Sequence, residues 1–244
     1  MTEIKLVSKV LKANDQIAAE NRQLLSGASV LVINLMSSPG SGKTTILERT
    51  IERAGSSKAA ATPAGVGAGP ALRFAVVEGD LFTTRDAERI DRLGAPVVQV
   101  NTEGGCHLDA QMVRAALEDL AWRDADILAV ENVGNLVCPA AWDLGEDLRV
   151  LVVSIAEGHD KPAKYPRMFR EAHAILLNKI DLLPMTDFSV REFEKDVRAL
   201  NAEAPIFYLS ARTGAGLADW VSWLRSKLAE KRHRRPDGAP VQED

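Results

Sequence analysis

Seven short apolar runs punctuate the chain, at residues 30–35, 74–77, 97–100, 127–130, 150–155, 174–177 and 206–209. Each is nearly continuous and rich in aliphatic or β-branched side chains, the pattern of strands covered on both faces. Stretches that hold helices lie between them, notably 108–122, 190–201 and 217–231. Another helix is predicted over 5–25, where Val7, Val10, Leu11, Ile17, Ala18, Leu24 and Leu25 recur near a 3.6 period, with Gly27 as its cap. Strands alternating with helices predict an α/β fold, a doubly wound and mostly parallel sheet with helices on both faces. The expected organisation is a helical extension at 1–27, one α/β domain at 28–231 and a disordered tail at 232–244. Residues 56–71, SSKAAATPAGVGAGPA, have almost nothing to bury and predict a flexible insertion.

Composition narrows the function classes. The 244 residues are 46% hydrophobic and 26% charged, ordinary for a globular chain, with a net charge of −4. An acidic balance argues against a nucleic-acid partner, because phosphate backbones select strongly basic surfaces. The basic cluster KRHRR at 231–235 reads as the solvated end of a helix. No apolar run reaches the roughly 18 residues of a membrane span, and the N-terminus has no signal-peptide pattern. Two cysteines, Cys106 and Cys138, exclude a disulfide scaffold and fit a reducing, cytoplasmic setting.

The first run leads into MSSPGSGKTT at 36–45 and then into a helical stretch. Strand, glycine-rich loop and helix make a phosphate cradle, in which backbone N–H groups and a helix N-terminus face the anion. Gly40, Ser41, Gly42, Lys43, Thr44 and Thr45 are the candidate phosphate residues. Lys43 is placed on the β- and γ-phosphates and Thr44 on Mg²⁺. Ser37 stands where the motif usually has its first glycine. After the sixth run comes Asn178-Lys179-Ile180-Asp181, whose carboxylate suits the N1–H and exocyclic amine of guanine; adenine offers neither pair of donors. Ser210 and Ala211 follow the seventh run, where a backbone N–H is expected to meet the guanine carbonyl. Three motifs at successive strand ends point to GTP, since ligands bind at that edge of an open α/β sheet.

Two more strand ends carry carboxylates, in Glu78-Gly79-Asp80 and Glu131-Asn132-Val133-Gly134. Asp80 and Glu131 are candidates for Mg²⁺, with Asp80 also counted as catalytic beside Lys43; Asp86 is expected to cap the helix that follows. The second motif resembles the D-x-x-G of small GTPases, with Gly134 placed to meet the γ-phosphate. Both cysteines lie in small motifs, Gly104-Gly105-Cys106-His107 and Val137-Cys138-Pro139. Cys106, His107 and Cys138 suit Ni²⁺ or Zn²⁺, although two buried free thiols fit the spacing equally well.

Taken in order, SSPGSGKTT, EGDLFTTRDAERI, GGCHLD, ENVGNLVCP, EGHDKPAKYPRMF, NKIDLLP and SARTG closely resemble the hydrogenase nickel-incorporation GTPase family. That family belongs to the P-loop class of the signal-recognition and urease-accessory GTPases, and its pattern accepts serine at the position of Ser37. The resemblance implies the P-loop GTPase fold. It also implies a slow, switch-type GTPase with GTP and Mg²⁺, and a nickel or zinc site of Cys106, His107 and Cys138 at a GTP-dependent homodimer interface. Implied partners are a nickel/zinc metallochaperone of the hydrogenase maturation pathway and the hydrogenase large subunit. Some members carry N-terminal Cys-rich or His-rich nickel motifs; the N-terminal residues here hold neither, so bulk nickel storage is not expected. The stretch 56–71 has no match in the family pattern. The alternatives are a urease-type nickel accessory GTPase, disfavoured by GGCHLD with ENVGNLVCP, and a metal carrier whose nucleotide site is purely structural.

Overall fold

A computed structural model describes residues 6–55, 69–80 and 84–233 of the chain. Its seven strands are β1 (Leu31–Ser37), β2 (Phe74–Asp80), β3 (Val97–Asn101), β4 (Ile127–Glu131), β5 (Leu148–Ser154), β6 (Ala174–Asn178) and β7 (Ile206–Tyr208). They form one sheet in the order β3-β2-β4-β1-β5-β6-β7, and every neighbouring pair is parallel. The helices are α1 (Leu6–Gly27), α2 (Lys43–Gly55), α3 (Arg85–Asp91), α4 (Ala110–Asp119), α5 (Lys161–Lys164), α6 (Pro166–Glu171), α7 (Val190–Leu200) and α8 (Leu217–His233).

Alternate residues of each central strand feed opposite cores, as the period of two requires. Leu31, Ile33 and Leu35 of β1 join Ile46, Leu47, Trp220 and Leu224 of α2 and α8 on one face. Val32 of the same strand joins Leu25, Val113, Leu117 and Trp122 beneath α1 and α4 on the other. A third cluster packs α6 and α7 on β5 and β6 through Phe169, Phe193 and Val197. Edge strands β3 and β7 are only half-buried, so burial on both faces holds for the inner five alone.

Helix α1 ends at Gly27, as expected, and Ser29, with φ 58°, makes the turn into β1. Two local expectations are corrected. Thr84 holds the N-cap position of α3, while Asp86 lies in the first turn and pairs with Arg89 at 2.8 Å. The last helix also runs beyond 231. Lys231 pairs with Asp147 at 2.5 Å and Arg232 with Asp126 at 2.6 Å, so this part of the basic cluster holds sheet to helix. Residues 56–68 of the expected insertion and 234–244 of the expected tail lie outside the described residues. Gly69 and Pro70, the end of that insertion, are held by Arg225, which donates to the Pro70 carbonyl at 2.6 Å.

Helix α1 is fastened to the body by buried amides. Asn21, fully buried, donates to the carbonyls of Ala110 (2.8 Å) and Leu144 (3.2 Å). Asn14 accepts from the Ala110 N–H at 2.9 Å and donates to the Asp143 carbonyl at 2.8 Å. Asn21→Ala leaves two buried acceptors without a donor, at about 1–3 kcal/mol each if unrelieved. The expected result is a fall in Tm of roughly 2–4 °C for each kcal/mol lost; an unchanged thermal melt would show that α1 is not held this way.

Candidate nucleotide and metal sites

All seven strands point the same way, so their carboxyl ends lie on one edge, and the order reverses at β1, between β4 and β5. A ligand crevice is expected at such a reversal, and β1 delivers its loop there. Ser37 ends the strand, residues 38–42 turn, and α2 starts at Lys43. Gly42, at φ 99°, runs so close to Asn178 that a Cβ would sit 2.5 Å from its amide nitrogen. Only glycine allows that approach.

The base-side motifs converge on this loop. Asn178, at the end of β6, donates to the Ser41 carbonyl at 2.8 Å and accepts from the Ala211 N–H at 3.1 Å. Lys179 is left-handed (φ 64°) and its ammonium donates to the Gly40 carbonyl at 2.7 Å. Asp181 sits in the short 3-10 turn that follows, and its Oδ1 is buried without a hydrogen-bond partner. One expectation changes. The N–H groups of Ser210 and Ala211 are taken by the Ala215 carbonyl and by Asn178, so in this arrangement they brace the loop rather than face a base.

The phosphate end is a cleft of about 350 Å³ lined by Gly40, Lys43, Thr44, Asp80, Glu131 and Gly134 among others. Lys43 donates to the Ser37 hydroxyl at 2.9 Å, so the serine in the first loop position holds the lysine as well as making the turn. Thr44 donates to Glu131 Oε1 at 2.8 Å. Gly134 packs against the loop: a Cβ there would come within 3.0 Å of Pro39 Cα. Thr45 differs from expectation, because its hydroxyl accepts from Arg89 of α3 at 3.0 Å.

Glu78 was not among the expected site residues, yet the structure sets it beside Glu131. The two are register partners on β2 and β4, both buried, each with one carboxyl oxygen lacking a partner. Burial, then repulsion from Glu131, pushes the Glu78 carboxyl up to about 11. Burial likewise raises Glu131, against the opposing pull of Lys43. Glu157, after β5, was also missed; it accepts from Ser38 of the loop at 2.5 Å and from the Ser154 N–H at 3.1 Å.

The sulfur ligands meet at the same edge. Residues 102–105 turn sharply, with Glu103 and Gly104 at positive φ and the Gly105 N–H on the Thr102 carbonyl at 2.8 Å. Cys106 and His107 thereby point to one side, which adjacent residues on a strand do not do. Cys138 arrives from the segment after β4, where the Asn135 side chain accepts from the Val137 and Cys138 N–H groups at 2.7 and 3.4 Å. The ligand atoms of Cys106, His107 and Cys138 all lie within 4.8 Å of one another. The sulfurs are 2.9 Å apart, Cys106 donating to Cys138, with no disulfide between them. Ligands about 2.3 Å from a tetrahedral or square-planar metal stand roughly 3.3–3.8 Å apart, so binding need open the pair by less than about 1 Å. His107 stacks on Trp142 with ring centroids 4.3 Å apart, and burial lowers its pKa while Asp109 opposes the shift. The hydrogen bond from Cys106, then burial, raises the Cys138 thiol.

This arrangement has known relatives. The family model described as CobW/HypB/UreG, nucleotide-binding domain, matches residues 31–208. Hydrogenase maturation factor HypB of Azotobacter chroococcum is 45% identical over 98% of this chain and 74% of its own. The chain belongs to the HypB family of hydrogenase maturation factors. Another HypB relative, the hydrogenase/urease maturation factor of Helicobacter pylori strain J99, is 38% identical over 93% of this chain and 89% of its own. A crystal structure of HypB from Helicobacter pylori in complex with nickel superposes with a TM-score of 0.81 at 36% identity, covering 93% of this chain and all of that one. The P-loop GTPase fold expected from the sequence is the fold of the HypB family.

The buried carboxyl pair sets a pH-dependent cost in the ligand-free protein. Glu78 ionises near 4.5 when unfolded and near 11 when folded. Below pH 4.5 both states are protonated and there is no penalty; between the two values folding must take up a proton, so the penalty grows with pH. Glu78→Gln is therefore expected to raise the Tm of the nucleotide-free protein, by more at pH 8 than at pH 6. A gain of about 2 °C corresponds to roughly 0.5–1 kcal/mol in a domain of this size. Equal melts at both pH values would mean that Glu78 is ionised in the folded cleft.

Proposed function

We propose that this protein is a GTP-hydrolysing metallochaperone switch that binds nickel or zinc and assists nickel insertion into [NiFe] hydrogenase. The observation that carries the reading is the placement of the Cys106–His107–Cys138 cluster on the same sheet edge as the nucleotide cleft, with residues 131–138 running from one to the other. The nickel complex of the Helicobacter pylori relative supports it.

In this reading Asp181 accepts from guanine with its partnerless oxygen, and Asn178 and Lys179 hold the loop that faces the base. The backbone of Gly40, Ser41 and Gly42 wraps the phosphates. Lys43 leaves Ser37 to meet the β- and γ-phosphates, neutralising charge that builds in phosphoryl transfer. Thr44 and Glu131, already hydrogen-bonded to each other, fit a hard cation, with Asp80 and Glu78 lining the same cleft. Magnesium supplies charge neutralisation on the phosphate oxygens when bound. Gly134, against Pro39, is where a γ-phosphate is felt, and Cys138 lies four residues downstream. Among the described residues no helix is long and apolar enough to cross a membrane; a cytoplasmic setting, a GTP-dependent homodimer and exchange with a maturation metallochaperone and the hydrogenase large subunit belong to the same proposal. A second target, urease, is favoured by the Helicobacter pylori relative, which is a hydrogenase/urease maturation factor.

Two measurements test the reading. Asp181→Asn should weaken GTP binding and strengthen binding of xanthosine triphosphate, whose C2 carbonyl takes a donor; equal GTP titrations would remove Asp181 from the base site. Metal affinity should differ between GTP-analogue and GDP complexes by about 5–150-fold, the usual range of coupling between two sites. Cys138→Ala should abolish that difference with GDP binding retained. Equal Ni²⁺ and Zn²⁺ affinities in both nucleotide states would leave a metal site without a switch.

A further inference from the structure

Coupling two sites through residues 131–138 requires that one half of the metal cluster move and the other stay. If both ligand loops shifted together, the cluster would keep its shape whatever the nucleotide. Cys138 rides on the segment after Gly134, but Cys106 and His107 belong to a different loop, between β3 and α4. What holds that loop is therefore as decisive as what moves Cys138.

The anchor is Asn132, which is 1% exposed and lines the nucleotide cleft between Glu131 and Val133. Its Oδ1 accepts from the N–H of Leu108, the residue after His107, at 3.0 Å, and from the N–H of Val133 at 3.0 Å. Its Nδ2 donates to Asn34 Oδ1 on β1 at 3.3 Å, and its own N–H donates to the Leu35 carbonyl at 3.0 Å. The residue is thus pinned to the central strand and, through Leu108, pins the loop that carries His107. Leu108 is itself fully buried, and its side chain lies over Gly79, where a Cβ would meet Leu108 Cδ1 at 2.8 Å. The Cys106–His107 loop is consequently fixed to the ends of β1, β2 and β4. No comparable side-chain bond from the strands reaches 135–138 among the described residues; Val137 and Cys138 are held by Asn135 of their own segment, and Val137 is 64% exposed.

We infer that Asn132 is the positioning residue of the switch: it fastens the Cys106–His107 half of the cluster to the rigid sheet edge, so that nucleotide-driven movement beyond Gly134 displaces Cys138 against a fixed partner. This rests on the coupled switch proposed above. The amide is suited to the task because it offers one acceptor for two N–H groups and one donor for a neighbouring carbonyl oxygen, all in a site closed to water.

The experiment compares Ni²⁺ affinity in GTP-analogue and GDP complexes of the full chain, for wild type, Asn132→Ala and Asn132→Asp. Asn132→Ala keeps every metal ligand but frees Leu108, and its affinity ratio should fall to within about twofold of unity, from the 5–150-fold range expected for the wild type. Asn132→Asp keeps an oxygen for both N–H groups and should retain most of the ratio. A residue that only supports the fold would lower both affinities and leave their ratio unchanged. Amide exchange of the unmodified protein gives an answer that needs no variant: Leu108 should stay equally slow in both nucleotide states while residues 135–138 change. A wild-type ratio of one would overturn the switch itself. A coupled wild type with an equally coupled Asn132→Ala, or a Leu108 amide that changes as much as Cys138, would overturn the role of Asn132 and leave the switch standing.

Discussion

The side-chain amide of Asn178 holds the nucleotide edge together, and most of the cleft's shape follows from satisfying it. A buried amide left unpaired costs about 1–3 kcal/mol for each group, so its partners are constrained as tightly as it is. Here the partners are the backbone of the phosphate loop at Ser41 and the backbone of the last loop at Ala211. One residue thereby sets the distance between the parts that face phosphates and base. It also dictates glycine at position 42, where any side chain would collide with that same amide. The N–H of Ala211 is used in this bond, whereas Asp181 keeps a buried oxygen without a donor, the one on which the proposed base recognition rests.

The same device recurs at the metal end. Asn132 ties the loop of His107 to the sheet, Asn135 shapes the approach of Cys138, and Asn14 and Asn21 on α1 bond both to Ala110, three residues after His107, and to Asp143 and Leu144. Trp142, between Cys138 and that second anchor, stacks on His107. Helix α1 therefore clasps from behind both segments that deliver sulfur. Apolar packing alone would let these segments slide, because it is non-directional; amides with fixed donors and acceptors do not. Among the described residues no such amide reaches 135–138 from the strands; Val137 and Cys138 are held by Asn135 of their own segment, and in the proposed switch this is the stretch that carries the nucleotide signal.

Much of this architecture was legible in the chain. Six of the seven apolar runs lie within two residues of their strands' limits, and β2 runs three residues past its predicted end, because strands buried on both faces leave a nearly unbroken signal. The phosphate loop, Asn178-Lys179-x-Asp181 and the Cys/His cluster were visible because their chemistry needs particular residue types at fixed spacing. Glu78 was overlooked as a site residue, since a carboxylate inside a strand looks no different from one beyond its end until register places it opposite Glu131. Asn132, Asn14 and Asn21 carried no signal at all: an asparagine on a helix or after a strand reads as polar surface, and only the crossing of distant segments reveals a buried hub.

Each candidate site contains groups that hold a proton more tightly than usual. Burial raises Glu78 and Glu131, and a thiol neighbour together with burial raises Cys138. A divalent cation entering either place must displace a proton, which lowers intrinsic affinity at neutral pH relative to exposed ligands. The compensation is specificity. Exposed carboxylates and thiolates hold weakly whatever cation diffuses past, whereas a proton-occupied, half-closed site yields only when the complete ligand set is offered. In the proposed reading that set at the cleft includes phosphate oxygens, so a cation is held when nucleotide is present to share it. At the sulfur cluster it is three side chains on two loops, and their spacing depends on where residues 135–138 lie.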